Sequence, residues 1–188
     1  MFTGIVQAVG RIVRDDPLEV ESQALGLADV AIGDSICVQG VCLTVTRLTG
    51  RGFTADVSAE TRSLTAGLRA PAEVNLEKSL TLAGKLGGHL VTGHVDGIGE
   101  VVSYADGVLA VRLPAGLARY VARKGSICVD GVSLTVNRVE GDTFEAMLIP
   151  HTLAVTTFGG LVGGETVNVE MDVIGKYLQR SLALRGAP

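Results

Sequence analysis

The chain spells nearly the same eleven residues twice. Ser35–Val45 reads SICVQGVCLTV and Ser126–Val136 reads SICVDGVSLTV, with nine of the eleven positions identical. Extended without a gap over Ser35–Thr65 against Ser126–Thr156, the match keeps fifteen identities in thirty-one positions. The starts match as well: MFTGIVQAVGRIV (Met1–Val13) lies on LVTGHVDGIGEVV (Leu90–Val102), sharing Thr-Gly-x-Val and a later Gly. So do the ends, where AEVNLE (Ala72–Glu77) parallels ETVNVE (Glu165–Glu170). Three collinear matches in one order divide the 188 residues into two homologous domains, meeting near Gly87-Gly88-His89. Whatever one copy folds into, the other folds into too.

Each copy reads as strands. TGIVQAVGRIV alternates apolar residues broken by Gly, as a bent strand does, and CLTVTRLTGRGFTADV is two β-rich runs about a Thr-Gly-Arg-Gly turn. Short strands with Gly turns predict a small closed barrel in each copy, an all-β solution that leaves no exposed edge. Each eleven-residue stretch reads as one strand that Gly40 or Gly131 interrupts, consistent with a bulge or a close backbone approach. One tail breaks the pattern. DVIGKYLQRSLALRG (Asp172–Gly186) places Ile174, Tyr177, Leu178 and Leu182 at helical spacing, and nothing comparable follows the first copy. A helix added to two complete barrels either assembles an oligomer or packs on its own barrel.

Composition removes several classes of function. A net charge of −4 and few aromatics give neither the basic footprint nor the stacking surface of a nucleic-acid binder. No apolar run approaches the roughly 20 residues that span a bilayer. The N-terminus lacks the basic and long apolar regions of a signal peptide. Three cysteines without paired spacing argue against a disulfide framework. A protein of a reducing, cytoplasmic compartment is expected.

The opening MFTGIV, the GVCLTV and GVSLTV pair, the GGHLVTGHVDG junction and the IPHT segment together resemble the riboflavin synthase family, of the lumazine-dismutating type, across essentially the whole chain. A sister group, the lumazine proteins, binds the same ligand without turning it over, and remains the alternative. The resemblance implies two six-stranded Greek-key barrels, residues 1–89 and 90–172, and a C-terminal helix over 173–188 that assembles a homotrimer. It implies transfer of a four-carbon unit between two molecules of 6,7-dimethyl-8-ribityllumazine, giving riboflavin and 5-amino-6-ribitylaminouracil. No metal or organic cofactor is implied. The active site is implied between the first barrel of one subunit and the second barrel of its neighbour, and association with lumazine synthase is a further implied partnership.

One substrate used twice suits two similar pockets, and holding two reactants together contributes on the order of 7–11 kcal/mol. One molecule donates and the other accepts, however, so the positions where the copies differ are expected to carry the chemistry. Two differences stand out: Cys42 against Ser133, and Ile5 against His94. A thiol is the better nucleophile, and imidazole moves protons at neutral pH. By family match Ser35, Cys42 and His94 are implied in catalysis. Ligand contacts are implied for the first barrel at Gly4, Ile5, Val6, Cys42, Leu43, Thr44 and the loop Asp56, Val57, Ser58, Ala59, Glu60, Thr61. For the second they are implied at Gly93, His94, Val95, Lys124, Ser133, Leu134, Thr135 and the loop Ile149, Pro150, His151, Thr152, Leu153, Ala154. Apolar side chains suit the ring faces and polar ones the ribityl hydroxyls. Against these stand plainer readings. Cys37 and Cys128, identical in both copies, read as core residues, and Cys42 itself has that alternative. His89 and His94 lack the partners of a metal site. Glu60 and His151 are either ligand contacts or solvated loop residues. Gln39, where the family often shows Asn, and Arg62, where Leu is common, are departures in the first copy.

Overall fold

The computed structural model describes residues 1–185. Gly186–Pro188, the end of the segment expected to be helical, lie outside the described residues. Twelve strands close two barrels. The first contains β1 (Ala8–Asp15), β2 (Leu18–Glu21), β3 (Ser35–Val38), β4 (Val41–Leu48), β5 (Gly52–Ala55) and β6 (Ala72–Lys78). The second contains β7 (Gly97–Ala105), β8 (Val108–Arg112), β9 (Ser126–Val129), β10 (Val132–Glu140), β11 (Thr143–Met147) and β12 (Thr166–Met171). Around the first barrel the order is β1-β2-β5-β4-β3-β6, and the second repeats it as β7-β8-β11-β10-β9-β12, all antiparallel.

Closure depends on bends in the long strands. β1 shifts register between Ile12 and Arg14 and β4 between Val45 and Arg47, with matching shifts in β7 and β10. Each bulge turns its strand from one neighbour toward the next, which lets so few strands close. Alternation then sends one side of every strand inward. Ile12, Val20, Ile36, Val45, Phe53 and Leu76 fill the first barrel, and Leu109, Ile127, Val136, Phe144, Val169 and Met171 fill the second.

Two expectations change in detail. SICVQGVCLTV is a hairpin of β3 and β4 rather than one strand, turning at Gln39-Gly40 with φ of 50° and 84°. Its twin turns at Asp130-Gly131 with φ of 47° and 81°. Positive φ at both central residues is the tight turn whose twist fits antiparallel strands. The two turns also touch: a Cβ on Gly40 would stand 2.8 Å from the Gly131 nitrogen. Secondly, Thr3–Gln7 does not belong to β1. Gln7 still donates its N–H to Leu76 of β6, but the segment before it also reaches the second barrel, and Phe2 bridges to Val91 through N–H···O bonds of 2.7 and 3.1 Å.

The C-terminal helix and two shorter ones complete the chain. α1 (Ala59–Leu64) and α2 (Pro150–Val155) follow β5 and β11, α1 starting where Ser58 Oγ accepts the Thr61 N–H. α3 (Val173–Arg185) is held to the second barrel near its start: Lys176 pairs with Asp96 at 2.7 Å and Gln179 Nε2 donates to the Arg119 carbonyl. Ile174, Tyr177, Leu178 and Leu182 remain exposed. The bonds that dock the helix are polar, while Ile174 and Leu178 border a cavity with Tyr120, Val121 and Ala122, and the apolar stripe as a whole stays open to solvent. No helix among them is long and apolar enough to cross a membrane.

Candidate active site between the barrels

The site grows from an exchange of segments between the two copies. Residues 92–95 lead into β7 of the second barrel, yet the Gly93 carbonyl accepts the N–H of Cys42 in β4 of the first, at 2.9 Å. Reciprocally, the Gly4 carbonyl accepts the N–H of Ser133 at 2.8 Å. Contact is tight enough to demand glycine: a Cβ on Gly93 would lie 2.6 Å from Cys42 Cβ, and one on Gly4 would lie 2.6 Å from Ser133 Cβ. Both glycines have φ above 70°, a region other residues seldom occupy.

Buried carboxylates hold these segments. Glu170 accepts the Thr92 N–H and hydroxyl on one oxygen, each at 2.7 Å, and the Gly93 and His94 N–H groups on the other. Glu77 does the same for Thr3 and Gly4. Burial raises the Glu77 pKa, and the bonds from Thr3 and Gly4 oppose that rise. Two asparagines tie the other end of the interface. Asn75 Nδ2 donates to the Asp130 carbonyl and Asn168 Nδ2 to the Gln39 carbonyl, while their Oδ1 atoms accept N–H groups of Thr157 and Ala66.

The exchange regroups the expected ligand residues. Gly93, His94 and Val95 line a cavity of about 310 Å³ together with Val41 and Cys42 of β4 and Glu60, Thr61, Leu64 and Thr65 of α1 and its end. The thiol and the imidazole, carried by different copies, thus open onto one space. Gly4 lies against Ser133 instead of against its own copy's β4. The regrouping follows from the reciprocal reach of residues 92–95 and of Gly4 to the other barrel, which no periodicity in the sequence signals.

The remaining expected residues are distributed along the same surfaces. Pairing sets Ser35 opposite Thr44 and Cys37 opposite Cys42. Because Ile36, Val38, Val41 and Leu43 point inward, these four point outward as one stripe. Ser35 and Thr44 thus stand roughly 7 Å along the strands from Cys42, at the more exposed end. Ser126, Cys128, Ser133 and Thr135 form the matching stripe, and Lys124, exposed, donates its backbone N–H to Val136 beside it. Ile5, Asp56, Ser58, Ala59, Ile149, Pro150, His151 and Ala154 are exposed, and Val57, Thr152 and Leu153 half-buried. Leu43 and Leu134 lie in the barrel cores. Arg62 reaches the carbonyls of Asp15 and Leu68, fixing α1 to the first barrel.

His89 was missed as a site residue. Its Nδ1 lies 2.7 Å from Ser133 Oγ, and its N–H donates to the Thr3 carbonyl. Burial holds the imidazole pKa below its ordinary value, so it is neutral at pH 7. Ser133 is therefore engaged by an uncharged ring, whereas Cys42 opens onto the cavity shared with His94. The GGH junction was the available signal, but its two glycines pointed to a linker.

Comparison with known proteins agrees with this architecture. The lumazine binding domain matches residues 3–79 and again 92–172. A riboflavin synthase of Mycobacterium tuberculosis is 45% identical over 202 residues, covering 99% of this chain and 100% of that one. One from Photobacterium phosphoreum is 43% identical, covering 97% and 89%. One from Bacillus subtilis is 41% identical, covering 97% and 90%. Among solved structures, LumP complexed with 6,7-dimethyl-8-(1'-D-ribityl) lumazine superposes with a TM-score of 0.78 at 26% identity, over 91% of this chain and 99% of that one. Two lumazine-binding domains in tandem, matched end to end by synthases that are more alike in sequence than LumP is, place the chain in the riboflavin synthase family.

Proposed function

We propose that the protein converts two molecules of 6,7-dimethyl-8-ribityllumazine into riboflavin and 5-amino-6-ribitylaminouracil, a transferase reaction closing riboflavin biosynthesis. The observation that carries this reading is the meeting of Cys42 and His94 in one cavity, each at a position where the two copies differ. A mere binder needs two matching pockets and has no use for that inequality.

The roles follow from chemistry. The ring of one lumazine, the acceptor, is activated at C7 by addition of a nucleophile or water near Cys42 and Ser35. The acidic C7 methyl group loses its proton in the vicinity of His94, whose backbone is fixed by Glu170. Thr44, Glu60 and Thr61 reach the ribityl hydroxyls of one ligand. Ser133, Thr135, Lys124 and His151 surround the second.

Residues 1–89 and 90–172 act as the two lumazine-binding units, and 173–188 as the assembling element. The uncovered stripe of α3 supports a homotrimer, in which the first barrel of one subunit faces the second barrel of another and brings two ligands together. A cytoplasmic location and association with lumazine synthase accompany this reading.

Incubating the purified protein with the lumazine alone tests it. Riboflavin absorbance should grow with half-molar stoichiometry. Bound, fluorescent lumazine without product would instead make it an antenna-type binder such as LumP.

A further inference from the structure

Cys37 and Cys42 stand directly opposite each other across the β3–β4 hairpin. The Cys42 N–H points away from β3, to the Gly93 carbonyl at 2.9 Å, which marks the pair as the non-hydrogen-bonded kind. Such pairs bring Cα atoms to about 4.5 Å, inside the roughly 4.4–6.8 Å that a disulfide spans. Both side chains point outward from the barrel and pack in one cluster with Phe2, Val91 and Cys128. Their access differs. Cys37 is 1% exposed, while Cys42 lines the cavity. The second copy supplies a contrast, since Cys128 faces Ser133 there and has no thiol opposite it.

From this arrangement we infer that Cys42 and Cys37 form an oxidation site of the peroxide-sensitive, disulfide-closing type. Hydrogen peroxide enters the cavity and reacts with the Cys42 sulfur. The O–O bond breaks, the sulfur loses two electrons and becomes a sulfenic acid, and water leaves. The Cys37 sulfur then attacks the Cys42 sulfur, the S–O bond breaks, and a second water departs with the Cys37 proton. Two thiols and one peroxide give one disulfide and two waters. A dithiol reduces the disulfide back to the two thiols and is itself oxidised to a disulfide. Burial raises the Cys37 pKa, which keeps that thiol protonated and makes it the second partner rather than the first. Loss of turnover on oxidation rests on the role proposed above for Cys42; formation of the crosslink does not.

The test is peroxide treatment of the whole protein, followed by alkylation in denaturant and peptide mass mapping. Three alkylated cysteines before oxidation should fall to one, Cys128, with a Cys37–Cys42 linked peptide, and dithiothreitol should restore all three together with activity. Cys37→Ala should keep basal turnover but stop at a dimedone-reactive Cys42. Cys128→Ala should crosslink as the parent does, which guards against a misfolded Cys37 variant. A link to Cys128, a link between chains, or a parent protein that stays at sulfenic acid would each overturn the inference. A crosslink without loss of turnover would leave it standing and overturn the role of Cys42 instead.

Discussion

His94 and Cys42 come from different copies and share no sequence neighbourhood, yet one backbone hydrogen bond from Cys42 to Gly93 fixes them in register. Replacing His94 by Gln should lower kcat by about 10²–10⁴-fold, the usual worth of a positioned proton carrier, with little change in lumazine affinity by fluorescence titration. Cys42→Ser should do the same, and parent-like rates in both variants would sink their assignment. Gly93→Ala tests the contact itself. Its φ of +77° costs an alanine about 1–2 kcal/mol, and the new Cβ collides with Cys42, so both the urea midpoint and kcat should fall. Gly50→Ala, which meets open space, should change neither. At this scale the sequence was half informative. Comparing the copies singles out Cys42 and His94 because divergence at matched positions is visible in one dimension. It is blind to Glu77 and Glu170, which bond backbone far along the chain, and to His89, whose ring meets the distant Ser133 hydroxyl.

Among the elements, the paired hairpins β3–β4 and β9–β10 show both what patterning reveals and what it hides. The apolar run on either side of Gln39-Gly40 and Asp130-Gly131 looks continuous, although Asp-Gly is itself a strong turn signal. The turns then meet at the barrel contact, where Gln39 and Asp130 play one part with different chemistry. Each side chain accepts the N–H of its own barrel's asparagine, Asn75 or Asn168, at 2.8 Å. Gln39 is neutral, but Asp130 is a carboxyl whose pKa burial pushes to about 7, with Glu165 adding to the rise. Between pH 4 and 7 the unfolded chain ionises this residue while the folded one keeps it protonated. Its contribution is therefore complete in acid and declines as pH rises, by up to about 4 kcal/mol across that window. Asp130→Asn should flatten the decline and leave the variant more stable than the parent above pH 7. Urea midpoints of both proteins at pH 5 and pH 8 check this; equal differences at the two values would refute it.

For the whole molecule, two features matter: the contact between the barrels and the exposed stripe of α3. Phe2 is wholly buried between the barrels, and truncating it to Ala should cost about 3–5 kcal/mol, read from the thermal or urea transition. Leu178→Glu with Leu182→Glu should dissociate the proposed homotrimer in sedimentation velocity while the far-UV spectrum stays that of folded barrels. Turnover should drop by about 10²-fold or more, because a second reactant is no longer held beside the first. The duplication and the barrels were legible because a repeat and alternating strands are written in the order of residues. The crossing of Met1–Gln7 and of residues 90–95 was not, since each segment looks like the start of its own barrel. That crossing also has a historical meaning. Gly4 meets Ser133 as Gly93 meets Cys42, Phe2 and Val91 exchange bonds, and Asn75 mirrors Asn168. These contacts are those of an isologous dimer, in which identical surfaces recognise each other. A single-barrel ancestor pairing with itself would have carried two equal sites, and every mutation would have struck both. With both copies in one chain, a change in one site leaves the other untouched, and Cys42 and Ser133 differ at one matched position.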